Sequence, residues 1–123
     1  MIGISYSNIK SNFLYWALIL ASSCQTSVPF NKTDWLSYNA VDGTDRSTMT
    51  ADLLQNHKII GRTNKQVVNL LGEPSGRDTT EAFYELSVKY DMIDPVSGKD
   101  LVIIFNKDSI VTKAFVKEWK KHN

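Results

Sequence analysis

One short segment, residues 61–74, specifies a helix together with both of its ends. Thr63 stands three residues before Gln66, which is the spacing of a capping box in which each side chain bonds to the backbone N–H of the other residue. An apolar stripe at helical spacing then follows, formed by Val67, Leu70 and Leu71. The segment therefore predicts a helix that begins at Thr63 and buries one face.

The end of this helix is marked as clearly as its start. Gly72 directly follows the last apolar residue and can take the left-handed conformation that ends a helix. Pro74, two residues later, cannot continue it. A helix of about two turns is too short to be stable by itself. Its apolar stripe must therefore pack onto another part of the chain.

Composition limits the chain to one small domain. It has 123 residues, of which 42% are hydrophobic and 22% charged, with a net charge of +1. This balance contains neither the basic excess of a nucleic-acid-binding protein nor an acidic tail. The single cysteine excludes an internal disulfide, so burial must supply the stability.

The first 23 residues are predicted to be a lipoprotein signal peptide. Lys10 precedes the apolar run 13–21, which is too short to cross a bilayer but suits a secretory signal. The sequence Leu20-Ala21-Ser22-Ser23-Cys24 resembles the lipobox of bacterial lipoproteins, in which the cysteine is acylated. Acylated Cys24 would anchor the chain in a membrane. The alternative is an ordinary cleaved secretory signal followed by a chance cysteine.

The residue after the cysteine bears on location. In lipoproteins of this kind an Asp there often implies retention in the inner membrane, whereas this chain has Gln25. The expected location is therefore the outer membrane, facing the periplasm. Residues 24–45 are predicted to be a tether and an irregular arm, and residues 46–121 the folded domain, which opens with a helix over 46–57.

After the second helix the apolar period changes from 3.6 to 2. Residues 81–90 alternate between apolar and polar side chains, which predicts a strand with one buried face. Residues 91–100 contain Asp94-Pro95 and Ser97-Gly98 and are predicted as a loop. Residues 101–105 are apolar on both faces, as in a central strand.

A tight turn at 106–109 and a third strand over 110–119 complete the prediction. The fold class is α+β, with two short N-terminal helices packed on a three-stranded antiparallel β-meander. Two helices cover only one sheet face. Either the arm, through Trp35, Leu36 and Tyr38, folds over the other face, which is the favoured interpretation, or that face binds a partner. In the second case the candidate binding residues are Phe115 and Trp119 on the last strand, together with Trp35 in the arm.

The chain resembles a known family. The resemblance is carried, in the order of that family, by Trp35, Arg46, Met49, Asp52-Leu53-Leu54, Gly61-Arg62-Thr63, Val67, Leu70-Leu71-Gly72-Glu73-Pro74, Tyr84, Leu101, Phe105 and Val111. Residues 35–116, with the lipobox upstream, resemble BamE-like (SmpA/OmlA) lipoprotein domains. The resemblance implies an α+β fold and a non-catalytic accessory role in outer-membrane β-barrel assembly. It assigns no partner-contact residue to this chain.

The chain departs from the family pattern at two places. Arg62 occupies a position where Met is more usual, and Asp108-Ser109 replaces the common Asp-Gly turn. The resemblance therefore admits both the barrel-assembly subunit itself and a paralogue that shares its domain.

Residues capable of catalysis or metal binding are few. His57 and His122 are the only histidines, and no pair of His or Cys residues has zinc-ligand spacing. Asp91, Asp94 and Asp100 lack the ligand spacing of a calcium hand, so a solvated loop is the better interpretation. Residues 72–76 contain two glycines but follow the C-terminus of the second predicted helix. The helix dipole is negative at that end and disfavours a phosphate. We expect no enzyme, no metal and no cofactor.

The last strand is basic, with Lys113, Lys117, Lys120 and Lys121 around Trp119. Such lysines either protect an exposed edge strand from pairing or face anionic lipid headgroups, and the first is the simpler account. The sequence thus predicts a lipid-anchored protein that binds a protein partner of the cell envelope and no nucleic acid. The alternative is a lipoprotein that inhibits or senses another periplasmic protein. A small periplasmic hydrolase is disfavoured because the chain lacks a nucleophile and base.

Overall fold

The computed structural model describes residues 28–41 and 45–122, which form an α+β fold. The signal peptide and Cys24 lie outside these residues. The helices of the described part are α1 (Lys32–Leu36), α2 (Ser47–Asn56) and α3 (Asn64–Leu71). Its strands are β1 (Gly76–Arg77), β2 (Glu81–Asp91), β3 (Asp94–Phe105) and β4 (Val111–Lys120). They form one antiparallel sheet in the order β1-β2-β3-β4.

The capping box predicted for α3 is confirmed. The Gln66 N–H donates to Thr63 Oγ1 at 3.2 Å, and the Thr63 N–H donates to Gln66 Oε1 at 2.9 Å. Gly72 ends the helix with a positive φ of 82°, but its ψ of −171° is extended and differs from the left-handed helical conformation expected. A Cβ at this position would lie 2.8 Å from Leu36 Cδ2, so Gly72 also allows α1 to pack closely.

The helix predicted over 46–57 is confirmed as α2. Its N-cap, Arg46, forms no capping bond with its side chain. Asp45 supplies that contact instead, because Asp45 Oδ1 accepts the Ser47 N–H at 2.7 Å.

The prediction of a loop over residues 91–100 is wrong. The β2–β3 hairpin turns at Met92 and Ile93, and β3 begins at Asp94. Residues that favour turns are held in strand conformation here because they pair on both sides. Ser97, for example, lies opposite Lys89 of β2 and Lys120 of β4. The third predicted strand is confirmed as β4, shifted by one residue from the predicted bounds.

Two short elements went unpredicted. β1 adds a fourth strand to the predicted three, pairing Gly76 with Phe83 and Arg77 with Ala82. α1 lies in the arm that was predicted to be irregular, and that part of the prediction is wrong. Asn31 caps α1, since Asn31 Oδ1 accepts the Asp34 N–H at 3.0 Å.

The hydrophobic core lies between the helices and one face of the sheet. From the arm, the helices and the connection between α2 and α3 it contains Trp35, Met49, Leu53, Ile59, Val67 and Leu71. From the strands it contains Ala82, Tyr84, Leu86, Leu101, Ile103, Phe105 and Val111. Burial of these side chains is the main source of stability in a chain of this size.

The favoured interpretation that the arm covers the other sheet face is wrong. Trp35 is 0% exposed and packs on the helix side, with its ring centroid 6.2 Å from that of Tyr84. Its Nε1–H donates to the Leu71 carbonyl at 3.0 Å. This buried carbonyl gives the indole a hydrogen-bond partner, which determines where the arm docks.

Candidate protein-binding face

The second face of the sheet, called here the outer face, carries an apolar row across three strands. Phe83 of β2 lies opposite Val102 of β3, which in turn lies opposite Phe115 of β4. Cross-strand partners share a face, and successive residues alternate between faces. Because the neighbours Ala82 and Leu101 point into the core, the row points away from the helices.

This row is solvent-accessible at its ends and closed in the middle. Val102 is only 6% exposed although it does not belong to the core cluster, while Phe83 is 38% exposed and Phe115 is half-buried. Phe83 and Phe115 are the cross-strand neighbours of Val102 on either side. Half-buried Ile104 and Trp119 extend the apolar surface along β3 and β4. Contiguous apolar surface of this kind is typical of interaction sites.

Two glycines allow the aromatic rings to lie close to the sheet. The ring of Phe83 lies where a Cβ of Gly76 would stand. A Cβ on Gly98 would likewise lie 2.7 Å from Trp119 Nε1. A larger residue at either position would push the ring away from the backbone. The glycines therefore determine the shape of the outer face.

Charged groups surround the apolar row. Lys113 Nζ lies 5.4 Å from the ring centroid of Phe115, within cation–π range. Asp100 lies between Glu85 of β2 and Lys117 of β4. Burial, and then the Glu85 carboxylate, raise the pKa of Asp100, while Lys117 acts in the opposite sense.

The sequence-predicted site residues separate in the structure. Phe115 and Trp119 lie on the outer face, as the partner hypothesis requires. Trp35 is buried on the opposite side of the sheet and presents no side-chain surface to a partner. Cys24 lies outside the described residues. Sequence reasoning missed Phe83, because the alternation in β2 placed it among the polar residues of the solvent face.

The arm does not cover the outer face, and Arg46, directly after the arm, bonds to the edge of β2. The Arg46 N–H donates to the Leu86 carbonyl at 3.0 Å, and Arg46 Nη1 donates to the Glu85 carbonyl at 3.0 Å. Tyr38 Oη donates to Glu85 Oε1 at 2.8 Å. The burial of Tyr38 and this hydrogen bond raise the pKa of its hydroxyl. The two Arg46 bonds satisfy backbone carbonyls at the edge of β2.

A second exposed apolar feature lies at the tip of the β2–β3 hairpin. Met92 and Ile93 are each 93% exposed. With Tyr90 and Val41 they line a hollow of about 330 Å³. Asp94, next to the tip, forms an ion pair with Lys121. The tip lacks the regular cross-strand order of the outer face.

His57 and Asp52 contact each other at the end of α2. His57 Nε2 lies 3.3 Å from Asp52 Oδ2, which also accepts the Phe30 N–H at 2.7 Å. That backbone bond is the main cause of the lowered pKa of Asp52. Across residues 28–41 and 45–122, no three His, Cys, Asp or Glu side chains are grouped as metal ligands would be. Within the same ranges, no helix has the length and apolar character needed to span a bilayer.

Comparisons with protein-family models, with curated proteins and with solved structures found no match.

Proposed function

We propose that this chain is a lipid-anchored, non-catalytic protein of the cell envelope that binds a protein partner through the outer face of its sheet. The observation that carries the proposal is the row Phe83–Val102–Phe115, which lies outside the core and whose two rings are partly exposed. An apolar centre with aromatic side chains inside a polar rim is typical of a binding surface whose centre is desolvated on association. The BamE-like resemblance and the lipobox supply the expected setting, an accessory role beside the outer-membrane β-barrel assembly machinery.

The position of the fold relative to Cys24 supports a partner at the membrane. Val28, four residues after Cys24, donates its N–H to the Thr48 carbonyl at 3.1 Å and so belongs to the folded unit. Four residues reach about 14 Å at most, whatever their conformation. An acyl anchor on Cys24 would therefore hold the folded unit close to the bilayer surface, within reach of membrane-embedded partners.

The test is affinity purification of the full-length chain from its native membranes, followed by mass spectrometry. The same experiment measures the mass of the peptide that begins at Cys24. The expected result is acylated Cys24 together with enriched β-barrel assembly components. Acylated Cys24 with a different envelope protein would favour an inhibitor or sensor of that protein. Unmodified Cys24 would contradict the anchor.

Two variants test whether the partner is bound by the outer face. The double variant Phe83→Ser/Phe115→Ser should lose the partner, because it removes both rings of the row. Ile60→Ser alters an exposed apolar residue outside the sheet and should retain the partner. Equal retention by both variants would exclude the outer face as the binding site. Turnover of a substrate by the purified domain would contradict the non-catalytic part of the proposal.

A further inference from the structure

β4 forms one edge of the sheet, and the hydrogen-bond register shows which of its backbone groups face outward. The Phe105 N–H donates to the Thr80 carbonyl and the Lys121 N–H donates to the Val96 carbonyl, both at 2.8 Å. In an antiparallel ladder, successive residues direct their N–H and C=O groups to alternate sides. With the observed pairing, the residues of β4 that face away from β3 are Ala114, Val116, Glu118 and Lys120.

The two edges of the sheet differ. The β2 edge is occupied as far as Leu86, by β1, by Ser75 Oγ, which accepts the Glu85 N–H at 2.9 Å, and by Arg46. At β4 the first residue, Val111, is covered, because it exchanges backbone bonds with Gly61 and Arg62. From residue 114 onward, no backbone bond from the described part of the chain reaches the outward groups of β4. Such an edge is a template for another strand.

The side chains of β4 restrict what can pair there. Lysines and aromatic residues alternate along its outer face, in the order Lys113, Phe115, Lys117 and Trp119. Within the described ranges, Lys113, Lys117 and Lys120 have no carboxylate within ion-pair distance, whereas Glu118 pairs with Lys99 at 3.8 Å. If a second copy paired antiparallel through β4 with the register centred on Phe115 or Lys117, lysines would face lysines, and like charges that face each other destabilise a strand pair. If the register were centred on Val116, lysines would be diagonal neighbours.

We propose that β4 accepts an extended acidic segment of the envelope partner as a fifth strand. This inference rests on the proposed function and names the chemistry of the partner. The free backbone groups supply the hydrogen bonds, and the lysines attract Asp or Glu at alternate positions of the added strand. Apolar residues of that strand would lie beside Phe115 and Trp119. The same edge lysines thus disfavour pairing with a second copy and favour pairing with an acidic partner.

Site-specific photo-cross-linking in native membranes identifies what lies along this edge. A benzophenone amino acid replaces Glu118 in the full-length chain, and the same amino acid replaces exposed Gln55 of α2 as the control. The expected product from position 118 joins a protein segment rich in Asp or Glu, which position 55 does not capture. Cross-links from position 118 to lipid alone, or to β4 of a second copy, would overturn the proposal.

Two substitutions at one position then separate backbone pairing from side-chain contact. Val116→Pro removes an outward N–H without removing a β3–β4 bond, which an edge strand tolerates. Val116→Thr changes the side chain and keeps the N–H. Affinity is measured for a synthetic peptide of the cross-linked segment, with thermal unfolding of each variant as the folding check. We expect the proline to weaken binding about tenfold or more and the threonine to leave it within about twofold.

A charge variant decides the question if the proline variant does not fold. Lys113→Glu/Lys117→Glu should weaken binding of the same peptide about tenfold, and the affinity of the parent should fall as NaCl rises from about 50 to about 300 mM. A peptide with Asn and Gln in place of Asp and Glu should bind weakly. Binding to phosphatidylglycerol vesicles but to neither peptide would show a membrane contact and would overturn the proposal.

The failure of this inference can be told from the failure of the proposed function. If Phe83→Ser/Phe115→Ser loses the partner while Val116→Pro and the charge variant keep it, the partner binds the outer face without strand addition. If none of these variants affects retention and no protein is cross-linked, the proposed function fails as well.

Discussion

The guanidinium of Arg46 lies 4.6 Å from the ring centroid of Trp35, and its Nε–H donates to the Trp35 carbonyl at 2.9 Å. The same guanidinium also lies 4.6 Å from the ring centroid of Tyr38. One cation thus fastens two positions of the arm to the β2 edge. It is paired with carbonyls and aromatic faces, which compensates for its burial. Burial lowers the pKa of Arg46, and Tyr38 is the first of the groups that oppose this change.

Arg46→Lys should lower the free energy of unfolding by about 2 kcal/mol, because a lysine ammonium cannot supply the planar fork that bonds two carbonyls and stacks on two rings. Denaturant unfolding measures the loss. Arg77→Lys is the matched control. Arg77 is exposed and donates to Asn64 Oδ1 at 2.8 Å, so the change should stay within about 0.5 kcal/mol. Equal losses would show that Arg46 has no special role in holding the arm.

Thr63→Ala should lower the free energy of unfolding by about 1 kcal/mol, because it removes the hydroxyl that accepts the Gln66 N–H. The Thr63 side chain is exposed, so packing contributes little to this loss. Thr63→Ser keeps the hydroxyl and should retain most of the stability. A double-mutant cycle with Gln66→Ala tests the reciprocal bond, and strictly additive losses would argue against a cooperative capping box.

Local signals account for what the sequence predicted correctly. The capping box of α3, the period of 2 in β2 and the turn at 106–109 depend on residues close together in the chain. In the turn, the Ser109 N–H donates to the Asn106 carbonyl at 3.0 Å. The first half of β3 pairs with β2 through a tight hairpin on one side and with residues 117–120 of β4 on the other. No pattern within residues 94–100 reports that pairing.

The docking position of the arm likewise could not be predicted from nearby residues. Its apolar residues predicted that it would dock but left open on which side of the sheet. The Leu71 carbonyl that accepts the Trp35 indole N–H lies 36 residues away in sequence. For the candidate site, Phe115 and Trp119 were predictable from their position on the last strand. Phe83 could be found only once the register placed it opposite Val102.

Gly98→Ala should destabilise the sheet by about 1–3 kcal/mol, because a Cβ would lie 2.7 Å from both the Ser87 carbonyl oxygen and Trp119 Nε1. The displaced indole should also change the fluorescence of Trp119, read as the difference from the same pair of proteins carrying Trp119→Phe. In a Trp119→Ala background the cost of Gly98→Ala should shrink, since only the carbonyl contact remains. An unchanged cost there would assign the strain to the backbone alone.

Asp100→Asn should stabilise the protein near neutral pH, because the pKa of Asp100 is raised by burial and by Glu85. With the folded-state pKa above the usual value of 3.8, the carboxyl favours folding most while it is protonated in both states. That advantage is lost as the pH rises through the folded-state pKa. The variant has no carboxylate to desolvate, so its gain should be full near pH 7 and should shrink as the pH falls below about 4.

Asp52→Asn should change the free energy of unfolding in the opposite direction, and it is therefore the matched control. The Phe30 N–H, and after it Asn56, hold the pKa of Asp52 below its usual value. Its carboxylate thus contributes stability above the unfolded-state pKa, and that contribution is lost as the pH falls through the folded-state pKa. Denaturant unfolding of both variants from about pH 7 down to about pH 3 should show Asp100→Asn above the parent and Asp52→Asn below it, with both differences shrinking in acid. Changes of the same sign would mean that Asp100 is not desolvated between β2 and β4, and that the charged border of the outer face is more open to water than its neighbours Glu85 and Lys117 indicate.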